Sequence, residues 1–389
     1  MTTRPSSLFA LTLTLATGVL LGITLHQALP MNGPDHAELR RLNRLIEYVH
    51  DNYVDAIGYD KLVDGAMSGM FEQLDAHSRL LDAESMQELT EETHGDYGGI
   101  GIEVSLVDGF FTVIHALDDS PARSSGIVAG DRITAVDAQA LKGRRLGELT
   151  ELLRGKPGTP VSLRVVGEGG TRDVTLTRER IDLGAVTSRR LAGDVGYVRV
   201  TLFHENTAEK LRRAIETLDA KGAAPLAGLI LDLRNNPGGL LTAAVAVADL
   251  FLEDGAIVHT AGRGAESSVA YSATPGGIRD SLPLVILIDG ATASAAEVVT
   301  AALHDRQRAT VMGTKSYGKG SVQTLFGIDQ GRGIKLTTAH YTTPDGQDID
   351  GIGIAPDIPW DGDYDALVDA AAGVLLSAGK QTPAATPAA

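Results

Sequence analysis

The chain has 389 residues, a hydrophobic content of 43% and a formal net charge of −16 at neutral pH. That length suits two or three domains with real cores, and that charge argues against a nucleic-acid partner. There is no cysteine, which excludes disulfides, thiol catalysis and cysteine-ligated metals.

Between Arg4 and Asp35 no residue carries a fixed charge, and Leu8–Leu25 is mostly apolar. The run is long for the apolar part of a signal peptide, short for a comfortable membrane span, and no clean cleavage site follows it. Residues 1–34 therefore read as an export signal, either cleaved or kept as a membrane anchor. The rest of the chain is then expected outside the cytoplasm, in the periplasm, tethered to the inner membrane if the segment is kept.

Residues 35–92 are helical in pattern. Leu39, Leu42, Leu45, Ile46 and Val49 recur at helical spacing, as do Leu62, Ala66, Met70 and Leu74. The LDAHS run at Leu74–Ser78 breaks the second helix. His50, His77 and His94 are too scattered for a metal site and read as surface or capping residues.

Residues 93–178 have the size of one small β-rich module. Tyr97–Val104 and Gly109–Leu117 read as strands, Ser120–Leu141 as a turn, short helix and strand, and Leu146–Leu153 as an amphipathic helix. Arg154–Val166 and Asp173–Thr177 close the set.

Residues 179–375 alternate strands with helices, which argues an α/β core. Val195–Val200, Gly228–Leu233, Leu284–Ile288 and Ala309–Gly313 read as strands, Thr207–Leu218 and Leu240–Leu252 as helices. Val322–Ile328 and Ile334–Thr342 form a predicted hairpin. Residues 376–389, rich in Pro, Ala and Thr, read as a loose tail.

Four segments of this half are candidates for one site: Phe203–His204, Asn235–Gly239, Thr292–Glu297 and Gly318–Gln323. Ser294 stands at the expected start of a helix, where amides are unpaired and the dipole is positive. That suits a nucleophile whose product is an oxyanion, and equally a helix cap bonding the Glu297 amide. GTKSYGKGSVQ (Gly313–Gln323) permits three readings. As a phosphate-binding loop it lacks the hydroxyl after Gly318-Lys319, and the strand-like SVQTLFGI replaces the required helix. As an S-x-x-K motif at Ser316–Lys319 it needs a helical turn that Gly318 and Gly320 oppose, and its companion motifs are missing. The third reading pairs Lys319 with Ser294 as base and nucleophile, since burial brings a lysine toward neutrality. Gln323, four residues on along a strand, is expected on the same side as Lys319. Its amide oxygen would hold the neutral amine without adding charge.

DLRNNPGG (Asp232–Gly239), ATASAAE (Ala291–Glu297) and YGKGSVQ (Tyr317–Gln323), in this order, resemble the carboxyl-terminal processing proteases, the tail-specific serine peptidases of family S41. The resemblance extends to LDAHS near the start and to TTPDG and IDGIGIAPD near the end. Ala76 and Ala296 depart from the usual pattern, at a turn and beside the serine, without touching the Ser294–Lys319 pair. The resemblance implies Ser294 as nucleophile, Lys319 as general base and Gln323 as its support. It places the oxyanion hole on the backbone N–H groups of the glycine turn, Gly238 or Gly239, and of Ala295. The module at 93–178 resembles a PDZ domain, with Gly98, Gly99, Ile100 and Gly101 where that family binds a chain-terminal carboxylate. The implied fold is an α/β multidomain protein: a helical N-terminal region, a PDZ-like module and a peptidase core of the ClpP/crotonase kind. The implied activity is cleavage of exported proteins near apolar C-termini through an acyl-enzyme, without a cofactor or metal, with the PDZ-like module gating the site. A lipoprotein adaptor and a homo-oligomer are further expectations of the resemblance. The rival is a membrane-tethered PDZ-type binding protein without turnover.

Overall fold

The computed structural model describes residues 36–264, 267–278, 282–329 and 331–378. The expected export segment at 1–34 and the tail from 379 onward lie outside them. No helix among the described residues is long and apolar enough to cross a membrane. Residues up to Leu74 and residues from Asp75 form two compact units.

The first unit contributes helices α1 (His36–Asn52) and α2 (Tyr59–Phe71). The apolar stripe that predicts α1 is left uncovered: Leu39, Leu42 and Leu45 are exposed.

The second unit opens with β1 (Arg79–Leu81) and α3 (Ala83–His94), which Asp82 caps by accepting the Ser85 amide at 2.8 Å. The region expected to be helical to residue 92 is thus interrupted by a strand of three residues, too short to show a period.

The β-rich module then runs β2 (Asp96–Gly99), β3 (Ile102–Val107), β4 (Phe110–Ala116), α4 (Pro121–Ser124), β5 (Arg132–Val136), β6 (Gln139–Ala140), α5 (Leu146–Leu153), β7 (Pro160–Gly167), β8 (Gly170–Thr177) and β9 (Glu179–Asp182). Its sheet has the order β3-β4-β5-β7-β8, with β6 on β5, and β2 pairs separately with β9. Phe111, Val113, Ile133, Leu163, Leu149 and Leu153 fill its core.

The remaining elements are β10 (Val186–Leu191), β11 (Val195–Val200), α6 (Thr207–Ala220), β12 (Gly228–Asp232), α7 (Leu241–Asp249), β13 (Ala256–Gly262), β14 (Ala270–Ser272), β15 (Leu284–Ile288), α8 (Ala295–Asp305), β16 (Thr310–Gly313), β17 (Ser321–Gly327), β18 (Gly333–Thr342), β19 (Ile358–Pro359) and α9 (Tyr364–Ala378). A six-stranded sheet has the order β10-β11-β12-β15-β16-β19, parallel from β11 onward. A second, antiparallel sheet joins β1, β18, β13 and β14, with β17 on the other edge of β18.

The parallel strands read as unbroken apolar runs because both faces are covered. Leu284, Ile286 and Ile288 of β15 point into the core that contains Leu211, Ile215, Val247 and Val299. Val285 and Leu287 join Leu367, Val368, Ala371 and Leu375 of α9 on the opposite face. α9 continues to Ala378, past residue 375 where the sequence reading ends the core.

Candidate active site

In an open α/β sheet the loops leaving the carboxyl ends of parallel strands share one edge. Here β11, β12, β15 and β16 are consecutive neighbours. Their carboxyl ends lead into Phe203–His204, Asn235–Gly239, Thr292–Glu297 and the loop to Lys319, so all four segments gather at one edge. A cleft of about 600 Å³ lies there, lined by Leu202, Phe203, Gly239, Ser294, Ala295, Lys319, Gln323, Tyr341 and others. Leu89 and Thr93 of α3 form part of its wall.

The loop after β12 is built around two buried groups. Arg234 grips Asp232 through Nε at 2.9 Å and a terminal nitrogen at 2.6 Å, and lies over the Tyr364 ring at 3.5 Å. Tyr197 donates to Asp232 at 2.7 Å, and burial followed by that carboxylate pushes its phenol up to about 12. Asn236, fully buried, joins three segments: its Nδ2 donates to Val200 O at 2.9 Å, its carbonyl accepts the Ala293 amide at 2.9 Å, and its Oδ1 accepts the Gly238 amide at 2.8 Å.

That last bond narrows the oxyanion expectation. The Gly238 amide is already engaged, so Gly238 serves by shape. Its φ is +111°, and a Cβ there would meet Ser294 Cβ at 2.8 Å and the Ala295 amide nitrogen at 2.9 Å. The amides of Gly239 and Ala295, both lining the cleft, have no hydrogen-bond partner among the described residues.

Ser294 takes φ +54° and ψ −119°, a conformation that costs a residue with a Cβ of order 1–3 kcal/mol. Its amide donates to the Glu297 carboxylate at 2.8 Å, in the manner of a capping box. The Glu297 amide donates to the Ser294 carbonyl, also at 2.8 Å. The start of the helix is thus held through the Ser294 backbone.

Sequence reasoning missed the full part played by Glu297. Its fully buried carboxylate accepts the Ser294 and Lys319 amides on Oε2, both at 2.8 Å. On Oε1 it accepts Ser316 Oγ at 2.6 Å and the Gly318 amide at 2.7 Å. The spacing S-x-x-E is a capping signal, but the bonds to residues 316–319 need the adjacency of β15 and β16. Tyr341, also missed, donates to the Lys319 carbonyl and lines the cleft with Ser294. Burial raises its phenol well above the ordinary tyrosine range.

Lys319 is half-buried, and no partner for its ammonium is found among the described residues. Burial, and after it the Lys335 ammonium, lower its pKa, while Asp75 and Glu297 pull the other way. The segment after Lys319 is a strand, β17, not a helix, so neither the phosphate-loop nor the S-x-x-K geometry is present.

Gln323 lines the same cleft, but not for the reason expected. Lys319 precedes β17, and a bulge between Val322 and Gln323 breaks the alternation. The Gln323 Nε2 donates to Ser321 Oγ at 3.0 Å and Thr337 Oγ1 at 3.4 Å.

In the β-rich module a groove of about 290 Å³ runs between β3 and α5, lined by Gly99, Ile100, Gly101, Ile102, Val104 and Leu149 among others. β3 is an edge strand, paired among the described residues only with β4. Gly98 is not in the groove. It pairs with Arg180 in the β2–β9 ladder, and its carbonyl accepts the Gly155 amide at 3.0 Å.

A family model described as peptidase family S41 matches residues 194–360, and one for the PDZ domain matches residues 98–177. The chain is 40% identical over 341 residues to a carboxy-terminal-processing protease of Bartonella bacilliformis, covering 86% of this chain and 78% of that one. It is 36% identical over 321 residues to the carboxy-terminal processing protease CtpA of Bacillus subtilis, covering 82% and 68%. Among solved structures, a photosystem II D1 C-terminal processing protease is 31% identical, with 82% of this chain and 92% of that chain covered and a TM-score of 0.47.

Proposed function

The chain belongs to peptidase family S41, the serine-type carboxy-terminal processing proteases, with a PDZ domain, and from that premise we propose that it cleaves peptide bonds near the C-termini of exported proteins by a Ser294–Lys319 dyad. One observation carries the reading: a serine on a strained turn and a lysine of lowered pKa line one cleft, beside two unclaimed amides.

Neutral Lys319 takes the Ser294 hydroxyl proton as Oγ attacks the scissile carbonyl. The oxyanion of the tetrahedral intermediate accepts from the Gly239 and Ala295 amides, a contribution of about 3–4 kcal/mol per donor in comparable sites. Lys319 then passes its proton to the leaving amine, and the C–N bond breaks to leave an ester on Ser294. Water, deprotonated by Lys319, attacks that ester, and the proton returns to Oγ as the new carboxyl terminus departs. Gln323 holds the amine between these steps.

The substrate's last residues add as a strand to the open edge of β3, with apolar side chains between β3 and α5 and the terminal carboxylate at Gly99–Gly101. The module gates the cleft, and a lipoprotein adaptor and self-association belong to the same reading. The uncharged run before Asp35 supports an address outside the cytoplasm, tested by a reporter, active only after export, fused behind residue 35.

The test of the activity uses the full-length chain, an unfolded protein with an apolar C-terminus, and mass spectrometry of the fragments. Native protein cuts near the C-terminus, whereas Ser294→Ala and Lys319→Ala do not. Amidation of the substrate's terminal carboxylate raises KM. Binding without cleavage by the native chain would favour a receptor without turnover, and cleavage surviving Ser294→Ala would overturn the assignment.

A further inference from the structure

Asp75 and Ser78 of the LDAHS run lie at the start of the second unit, yet they reach Thr337 of β18, a strand beside the cleft. Asp75 Oδ1 accepts the His77 amide at 2.8 Å and Thr337 Oγ1 at 3.0 Å, and Oδ2 accepts Ser78 Oγ at 2.8 Å. Ser78 Oγ in turn accepts the Thr337 amide at 3.0 Å. The turn therefore clamps both the backbone and the side chain of Thr337. On the neighbouring strand, the residue paired with Thr337 is Gln323.

The direction of these bonds carries information. An ionised carboxylate only accepts, so the single hydroxyl proton of Thr337 is committed to Asp75. Thr337 Oγ1 then presents lone pairs to Gln323, and only the Gln323 amide nitrogen can face it, as observed at 3.4 Å. Ser321, the other partner of that nitrogen, cannot make this choice, because its hydroxyl turns to suit either end of an amide. With Nε2 fixed, Oε1 is turned away from Thr337, in the cleft that Lys319 also lines.

We infer that Asp75 is a positioning residue, which, with Ser78, sets the Thr337 hydroxyl and through it the orientation of the Gln323 amide toward the base. The inference rests on the Ser294–Lys319 reading and extends it to a motif nearly 250 residues earlier in the chain.

Asp75→Ala tests it, because it removes the acceptor that commits the Thr337 proton, so that Thr337 can donate to Gln323 and let that amide flip. Turnover of the full-length chain is measured per active serine, counted with a fluorophosphonate, so that loss of folded protein is not read as loss of rate. Asp75→Ala and Thr337→Val are expected to lower kcat about tenfold or more with KM little changed, a misplaced group costing up to ~100-fold. Thr337→Ser, which keeps the hydroxyl, restores most of what Thr337→Val loses. In a Gln323→Ala background, Asp75→Ala adds nothing further, as for residues acting through one another. Should Asp75→Ala fail to melt cooperatively, the Thr337 pair decides alone. A kcat within twofold of native in Asp75→Ala and Thr337→Val, or losses that multiply with Gln323→Ala, overturns the inference. If Lys319→Ala is inactive while Asp75→Ala is normal, only this inference fails; if Lys319→Ala keeps native turnover, the dyad itself is wrong.

Discussion

The backbone amides of Ser294 and Lys319 donate to the same atom, Glu297 Oε2, each at 2.8 Å. The turn that carries the hydroxyl and the loop that carries the amine are therefore fixed to each other by a carboxylate from neither side chain.

Glu297→Gln is nearly isosteric, yet it sets an NH₂ against two N–H donors, or against a hydroxyl and an N–H, in a fully buried site. A buried donor left unpaired costs about 1–3 kcal/mol. The melting temperature is expected to fall by several degrees, with ~4–8 °C per kcal/mol for small domains and less for larger ones. Peptidase turnover is expected to fall at least ~100-fold, since both reacting groups shift. A calorimetric scan beside a turnover assay checks both, and native turnover would show that this carboxylate does not set the spacing.

Gly239→Ala separates shape from hydrogen bonding at the opposite wall. Its φ is +124°, and a Cβ would meet Phe203 O at 2.3 Å, so the peptide must rotate and carry its amide off the cleft. Loss of one oxyanion donor costs about 10²–10³ in kcat. Asn236→Asp keeps the acceptor for the Gly238 amide and loses the donor to Val200 O. It is expected to destabilise the protein more than it slows each active molecule. Equal losses of kcat per active serine in the two variants would contradict this division.

The three motifs and the parallel core are legible in the sequence because each is local. GLIL (Gly228–Leu231) and LVILI carry no polar side chain because alternate residues feed two cores, and the turn residues follow directly. What is not legible depends on neighbours across the sheet. The Gly238 amide is taken by Asn236, Glu297 reaches residues 316–319, and the bulge at Val322/Gln323 upsets the alternation that predicts the side of Gln323. β10 and β13 escape a sequence reading because polar residues such as Arg189, Arg190 and His259 interrupt them. α9 escapes it because Ala370, Ala371 and Ala372 blur the edge of its apolar stripe.

Ser294→Gly tests the strain of the turn. With φ +54° and ψ −119°, glycine relieves a cost of order 1–3 kcal/mol and gives back about 0.5–1 kcal/mol in chain entropy. Ser294→Gly is therefore expected to melt above Ser294→Ala by about 1 kcal/mol in stability, both being inactive. The same order in guanidinium unfolding, with unchanged m-value, confirms the cause. A glycine variant less stable than the alanine variant would mean that the turn is relaxed.

Lys319 links activity and stability to pH with the same sign. As a base it works only when neutral, so kcat/KM rises with pH through its folded pKa, which burial and then Lys335 hold below the ordinary lysine value of about 10.4. Between the folded and ordinary values the unfolded chain binds more protons than the native one, so the lysine's contribution to stability rises with pH across that window. Below the window the fold carries an ammonium that it disfavours. Lys319→Met is accordingly expected to abolish cleavage and raise the melting temperature at pH 7, the gain shrinking as the pH approaches 10. A methionine variant that melts lower than native at pH 7, or a native activity that rises only above pH 10, would show that the cleft does not bring this amine toward neutrality.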